Sequence, residues 1–194
     1  MEERYRTYAM SSKGLDSVQI CNALGRLISK KNAAMAGVCA RDEVGRTLKE
    51  AAYPLCLVIN TDLSSGDGEH WVALYLDSPS RCEFFDSYGE RPSFYKLSVP
   101  CRSLSLANTC QLQSQLSSVC GHYCLFYLTY RSRGVSPHVM FHCLSPNSLR
   151  ANDTSIRSAM IKLLKRRSHS STQLPHPCFT CNKQSCKPRC FIDQ

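Results

Sequence analysis

Two apolar stretches joined by a short turn decide the fold: His70-Trp-Val-Ala-Leu-Tyr-Leu-Asp77 and Cys82-Glu-Phe-Phe-Asp86. Both are rich in the aromatic and aliphatic residues that are typical of buried strands. The Ser78-Pro-Ser80 segment between them is typical of a turn. We therefore predict a β-hairpin in which His70 opens one strand and Asp86 closes the next. Antiparallel pairing then brings these two polar side chains to the same end of the sheet.

Apolar segments on either side of this hairpin extend the predicted core. Leu55-Cys-Leu-Val-Ile-Asn60 predicts a further buried strand, ended by a turn-forming run over residues 61–68. Downstream, the polar, glutamine-rich residues 108–118 lead into Cys120-Gly-His-Tyr-Cys-Leu-Phe-Tyr-Leu-Thr-Tyr-Arg131. Because this last segment is apolar on nearly every side, we predict a helix in the middle of the domain.

Helical spacing of apolar residues marks both ends of the domain. Residues 14–30 predict a first helix, which Ser11 or Ser12 caps, and a last helix capped by Asn152 or Asp153 follows near the C-terminus. The stretch that follows the first helix, as far as about Glu50, is predicted to be less regular. The same holds for the segment around Pro92 and Pro100.

The predicted fold class is α+β, with a mixed sheet and a buried central helix. Residues 1–167 are predicted to form one domain, and residues 168–194 a short, irregular tail rich in Ser, Pro and Cys. The net charge of +9 is uneven, because nine Lys and Arg against two Asp lie from Arg150 onward. The main domain is therefore close to neutral.

Composition excludes several classes of protein. The chain has 194 residues, of which 43% are hydrophobic and 20% charged, as in an ordinary globular protein. No apolar run approaches the roughly 20 residues of a membrane-spanning helix, and the charged segment Met1–Arg6 lacks the apolar core of a secretory signal. We expect an intracellular protein, nuclear or cytoplasmic, without a membrane partner.

Thirteen cysteines is a high count for such a chain. An odd number without a secretory signal argues against a disulfide framework and for thiols, metal ligands or a nucleophile. Most of the nine cysteines before residue 150, including Cys21, Cys56 and Cys82, are interpreted as small buried apolar residues.

His70, Asp86 and Cys120 together suggest nucleophilic catalysis. A thiol at a helix N-terminus beside an imidazole is stabilised as the nucleophilic thiolate by unpaired backbone N–H groups and by the helix dipole. Attack on an amide carbonyl would create an oxyanion that the Cys120 N–H and a side-chain amide of the preceding loop can stabilise. Each residue also has a simpler interpretation, respectively as a capping, turn or packing residue.

Three segments resemble the active-site blocks of the adenovirus-type cysteine proteases: Gly68-Glu-His-Trp-Val-Ala73, Glu83-Phe-Phe-Asp-Ser-Tyr-Gly89 and Gln113-Ser-Gln-Leu-Ser-Ser-Val-Cys-Gly-His-Tyr-Cys124. Proteins of this type occur in viruses and in large DNA transposons, and they share their fold with the ubiquitin-like-protein-specific proteases. The order His, Asp, Cys matches that clan, whereas papain-type enzymes run Cys, His, Asn. The resemblance covers roughly residues 12–132.

This resemblance implies a role for each residue. His70 would be the general base, Asp86 the residue that orients it and Cys120 the nucleophile, with no cofactor required for catalysis. Gln113, seven residues before Cys120, corresponds to the oxyanion-hole glutamine, although Gln111 and Gln115 are close by. Two further residues are expected to pack in the core: Trp71 beside the imidazole, supporting the substrate cleft, and Cys124.

The implied function is hydrolysis of peptide bonds in viral or mobile-element proteins, with a protein or peptide substrate. An activating peptide and association with virions are further implications of the resemblance. Two alternatives stay open: an isopeptidase that removes a ubiquitin-like modifier, and a non-catalytic remnant that binds nucleic acid.

Cysteines in the tail follow a tight spacing, and they are Cys178, Cys181, Cys186 and Cys190. Four thiolates can bind a structural zinc ion, and the alternative is an irregular, cysteine-rich end. The basic run Lys162–Arg167 is interpreted either as a solvated helix end or, with the tail, as a weak DNA- or RNA-binding site.

Overall fold

The computed structural model describes residues 14–165, and a five-stranded mixed sheet lies at its centre. The strands, in chain order, are Met35–Ala40 (β1), Leu55–Asn60 (β2), Trp71–Ser78 (β3), Arg81–Phe85 (β4) and Ser103–Leu106 (β5). They lie side by side in the order β1–β2–β3–β4–β5. The β1/β2 and β4/β5 pairs are parallel, whereas β2/β3 and β3/β4 are antiparallel. The predicted α+β class is confirmed.

Five helices surround the sheet in the described part of the chain. They are Ser17–Leu27 (α1), Val44–Lys49 (α2), Cys120–Arg131 (α3), Pro137–Phe141 (α4) and Leu149–Lys165 (α5), with short 3-10 turns at Arg41–Glu43 and Pro92–Tyr95. Eleven residues of α3, Cys120–Tyr130, are buried. This confirms the prediction of a central helix that is apolar on nearly every side.

Each face of the sheet has its own apolar core. On one face α1, α3 and α5 pack against inward side chains such as Val58, Ala73 and Phe85. The other face, which includes Leu57 and Leu74, is covered by α2 and by the segment after β4. Alternating residues of β2 and β3 therefore face opposite cores, which explains why both strands read as continuous apolar runs.

The predicted hairpin is confirmed. Ala73 pairs with Phe85 and Leu76 with Cys82 in the β3/β4 register. His70 lies immediately before β3 and Asp86 immediately after β4, so both residues lie at one end of the hairpin.

Two predicted helix caps are wrong. Asp16 caps α1, since its side chain accepts from Gln19 N, whereas Ser11 and Ser12 lie outside the described residues. Asn152 and Asp153 lie inside α5 and are buried. Asn152 bonds the carbonyls of Leu112 and Ser145, so these side chains anchor α5 to the domain.

Two regions contain more regular structure than predicted. The stretch before Glu50 forms β1 and α2, and the proline-marked region contains a 3-10 turn and β5. Both additional strands lie at the edges of the sheet, and their pairing depends on β2 and β4 rather than on a long apolar run of their own.

The interpretation of the cysteines needs two corrections. Cys82 is joined to Cys101 by a disulfide that links β4 to the segment before β5. Cys21 is exposed on α1. The interpretation holds for Cys56, which is fully buried in β2.

Candidate active site

His70 and Asp86 form a close, buried pair at the end of the hairpin. Nε2 of His70 lies 2.6 Å from Oδ1 of Asp86. Only 8% of His70 and 1% of Asp86 is exposed. Burial removes competing water, which strengthens this hydrogen bond and fixes the orientation of the imidazole.

Several further groups hold the Asp86 carboxylate in place. Its Oδ2 accepts from the hydroxyl of Tyr95 at 2.8 Å and from the backbone N–H of Glu90 at 3.0 Å. Its Oδ1 also accepts from the N–H of Tyr88 at 3.2 Å. Because four donors, His70 included, converge on one carboxylate, its charged form is well satisfied despite its burial.

Two tyrosine rings contact the imidazole of His70. Tyr88 stacks on it at 4.6 Å between ring centroids, and Tyr95 lies at 5.6 Å. Burial, followed by the nearby charges of Cys120 and Asp86, raises the pKa of Tyr88. Neither tyrosine is among the site residues predicted from the sequence, although Tyr88 lies only two positions after Asp86.

Cys120 begins helix α3 and faces His70. Both residues line the same cleft, and the thiol is close enough to raise the pKa of the imidazole. Because Nε2 is engaged by Asp86, Nδ1 is the nitrogen left for the thiol. The first N–H groups of a helix have no partner within the helix and carry positive partial charge. The thiol therefore lies between a base and a set of backbone donors.

The protonation of His70 reflects these contacts. Burial lowers the pKa of the imidazole, but hydrogen bonds to Asp86 and Cys120, together with their charges, outweigh burial and raise the pKa to about 9. The imidazole therefore retains a proton at neutral pH. Such an imidazolium is suited to stabilise a thiolate and later to protonate a leaving group.

Gln113 is held firmly beside Tyr88, the residue whose ring stacks on His70. Its Oε1 accepts from Ser87 Oγ at 2.7 Å. Its Nε2 donates to the carbonyl of Ser117 at 2.8 Å and to the hydroxyl of Tyr88 at 3.4 Å. Gln113 is fully buried, whereas Gln115 is exposed. This difference in burial distinguishes Gln113 from Gln115 as a candidate oxyanion donor.

Trp71 and Cys124 pack beneath the site, as the sequence predicted. Trp71 donates from Nε1 to the carbonyl of Leu15 at 2.9 Å, and the Cys124 thiol donates to the carbonyl of Trp71 at 3.2 Å. Burial raises the pKa of Cys124 well above its ordinary value. Burial likewise raises the pKa of Cys39 to about 11 and that of Cys56 to about 12, so these three thiols stay protonated and inert.

A cleft of about 1150 Å³ opens onto His70 and Cys120. Its walls come from α1, from β1 and from the loop between β2 and β3. The carboxylates in its lining are Asp16, Glu43, Asp67 and Glu69, and no Lys or Arg contributes to that lining.

The predicted zinc site cannot be placed on this structure. The four tail cysteines fall outside the described residues. Between residues 14 and 165, no three His, Cys, Asp or Glu side chains form a cluster that could hold a metal ion. Nor does any helix in this part of the chain have the length and apolar composition needed to cross a membrane.

The fold is similar to that of a solved viral protease. The crystal structure of the African swine fever virus protease matches with a TM-score of 0.52 at 17% identity, over 81% of this chain and 70% of that chain. The match confirms the predicted fold.

Sequence comparison identifies relatives from the same virus. The chain is 32% identical over 108 residues to the cysteine protease of one African swine fever virus strain. The aligned region covers 47% of this chain and 39% of the relative. The protein of another isolate, called a SUMO-1 cysteine protease, matches equally well. The chain thus spans about two fifths of the length of these relatives, and no protein-family model matches it. The predicted resemblance to cysteine proteases is confirmed.

Proposed function

We propose that this chain is a cysteine peptidase in which Cys120 is the nucleophile, His70 the acid and base, and Asp86 the residue that orients His70. The observation that carries the proposal is the position of His70, which bonds Asp86 and lines the same cleft as Cys120 at the start of α3. Similarity to viral cysteine proteases supports the same chemistry.

In the reactive state the proton of the Cys120 thiol already resides on Nδ1 of His70, so that a thiolate lies beside an imidazolium, as the raised pKa of His70 favours. The thiolate attacks the carbonyl carbon of the scissile bond, and the carbonyl oxygen becomes an oxyanion. His70 then donates its proton to the departing amine, which leaves a thioester on Cys120. Water, deprotonated by His70, hydrolyses this thioester and releases the thiol.

Oxyanion stabilisation is assigned to the backbone N–H of Cys120 and to the side-chain amide of Gln113. The longer of the two Gln113 Nε2 contacts, 3.4 Å to the Tyr88 hydroxyl, is the weaker one and can be exchanged for the oxyanion. The shorter contact to Ser117 keeps the amide oriented in the meantime.

The proposed substrate is a protein of the virus or mobile element that encodes the chain, as the resemblance implies. A second candidate is deconjugation of a ubiquitin-like modifier, because a relative is called a SUMO-1 cysteine protease. The predicted nucleic-acid-binding tail, zinc site, activating peptide and intracellular location stay predictions.

Substrate panels test the proposal. Purified protein is incubated with short Gly-containing fluorogenic peptides and, in parallel, with modifier–fluorophore conjugates. We expect hydrolysis that disappears in Cys120→Ala, and the panel that responds selects between endopeptidase and isopeptidase. Equal hydrolysis by Cys120→Ala and the unchanged protein would refute the proposal.

A further inference from the structure

A second groove lies behind the loop that precedes Cys120, between that loop and helix α5. It has a volume of about 760 Å³. The loop contributes Leu116 and Ser117, and α5 contributes a row of cationic side chains. We call it the α5 groove.

The charge of the α5 groove is strongly positive. Four cations line it, namely Arg150, Arg157, Lys162 and Lys165. None of them belongs to an ion pair recorded within residues 14–165. The only carboxylate in the lining is Asp153, which accepts from the Ser114 N–H and from the Tyr123 hydroxyl. Because Asp153 is engaged by the domain interior, an incoming anion meets an excess of positive charge.

The groove also has an apolar part. Leu116 is 84% exposed, the highest value among the large apolar side chains described. Ile161 of α5 lies in the same lining. An exposed leucine beside a row of cations suits a ligand that carries both apolar and anionic groups.

The α5 groove adjoins the candidate active-site cleft, because Ser117 lines both. The two compartments have opposite charge, since the cleft is lined by carboxylates and no Lys or Arg. An acidic segment is therefore repelled by the cleft and attracted by the groove.

We propose that the α5 groove is an exosite for an acidic segment, with apolar side chains, of the protein substrate whose scissile bond occupies the cleft. This inference rests on the proposed function, and it names the class of substrate. Glu and Asp side chains of the segment pair with the four cations, and an apolar side chain packs on Leu116. Nucleic acid is the other polyanion to consider, but the groove lining that the structure describes offers its bases no aromatic side chain on which to stack.

A binding experiment tests this directly. The probe is a short fluorescein-labelled peptide in which Glu residues alternate with Leu, titrated with Cys120→Ala protein and followed by fluorescence anisotropy. In the same Cys120→Ala background, Arg150→Glu combined with Lys162→Glu reverses two exposed charges of the groove. We expect binding at least about tenfold weaker in this double variant.

The matched control, also in the Cys120→Ala background, is Lys49→Glu combined with Arg102→Glu. Both side chains are exposed and belong to segments on the other face of the sheet, and the net charge changes equally. Binding that falls equally in both double variants would overturn the exosite. So would binding of a single-stranded oligonucleotide in preference to the peptide.

A separate measurement distinguishes this proposal from the proposed function. With Cys120 intact, cleavage of a mixed peptide library should favour peptides that carry acidic residues on one side of the scissile bond, and the Arg150→Glu, Lys162→Glu variant should lose that preference while still cleaving. Cleavage without any acidic preference overturns the exosite alone. Absence of cleavage with peptide binding retained would refute the peptidase assignment while the binding groove stands.

Discussion

The imidazole of His70 and the carboxylate of Asp86 lie 2.6 Å apart, although sixteen positions separate them in the chain. The β3/β4 register brings them together, because one residue precedes the first strand of the hairpin and the other follows the second. Packing of α3 on β3 then places the start of α3, and with it Cys120, on the other side of the imidazole. The site is therefore a direct product of the hairpin and the central helix.

Replacing Asp86 by Asn should abolish most activity while leaving the fold intact. An Asn oxygen can still accept from Tyr95 and Glu90, but its NH2 group would face Nε2 of His70 and force the proton onto Nδ1. That tautomer cannot accept the thiol proton. We expect kcat to fall on the order of 100-fold or more, measured with a fluorogenic peptide.

The pH profile supplies the accompanying control. Burial alone would lower the pKa of His70. The interactions with Asp86 and Cys120 outweigh burial and raise this pKa to about 9. Activity that needs the imidazolium as an acid should therefore be lost as the pH rises through about 9. In Asp86→Asn this loss of activity should occur at lower pH, because the carboxylate that raises the pKa of His70 is gone. If activity fell at the same pH in both proteins, Asp86 would not set the charge of His70.

Tyr95→Phe should reduce kcat with little change in KM. Its hydroxyl donates to Asp86 Oδ2 at 2.8 Å, so the variant loosens the carboxylate without touching substrate. We expect a decrease of about tenfold, the worth of one hydrogen bond to a charged group. Tyr53→Phe, which removes a hydroxyl from the opposite core, is the control. Identical kinetics in the two variants would show that the Tyr95 hydroxyl has no role in catalysis.

Gln113→Glu should lower kcat by about 10²- to 10³-fold, the usual cost of losing an oxyanion donor. Glu keeps the shape and one acceptor for Ser87 but cannot donate to an oxyanion. Gln115→Glu, two residues away and exposed, should have no comparable effect. If Gln115→Glu were the inactive variant, the assignment of the oxyanion donor would be wrong. Thermal melting of both proteins shows whether the fold is retained.

Two glycines test how tightly the site is packed. Gly89 has φ +78°, and a Cβ there would lie 2.6 Å from the backbone of Cys110, whereas Gly134 has φ +82° with nothing within 4 Å. Gly134→Ala should cost about 1 kcal/mol from the left-handed backbone alone. Gly89→Ala adds a clash with fixed backbone, so urea unfolding should show a clearly larger loss. Equal losses would mean that the loops around Gly89 can separate freely.

Strands and helices whose apolar composition matches their burial in the fold could be predicted from the sequence. The runs that begin at Leu55, His70 and Cys82 are buried on both faces, so apolar composition alone identifies them. The helix that begins at Cys120 is predictable for the same reason. These elements carry the candidate triad.

The remaining elements depend on tertiary contacts. The β5 strand, Ser103–Leu106, is largely exposed at the sheet edge, so its composition does not indicate a strand. Asn152 and Asp153 resemble helix caps, but the domain interior supplies partners for them in mid-helix. Tyr95 reaches Asp86 only because a 3-10 turn folds the chain back, and short-range patterns do not predict such contacts.

Selective alkylation of Cys120 tests the central claim most directly. The protein is labelled with limiting iodoacetamide at about pH 6, where an ordinary thiol of pKa about 8.5 is less than about 1% ionised, and the modified cysteine is located by mass spectrometry. His70→Ala is labelled alongside. We predict that Cys120 reacts well ahead of Cys21, which is exposed, and that this lead disappears in His70→Ala. A Cys120 that reacts no faster than Cys21, or equally fast without His70, would contradict the proposed catalytic pair.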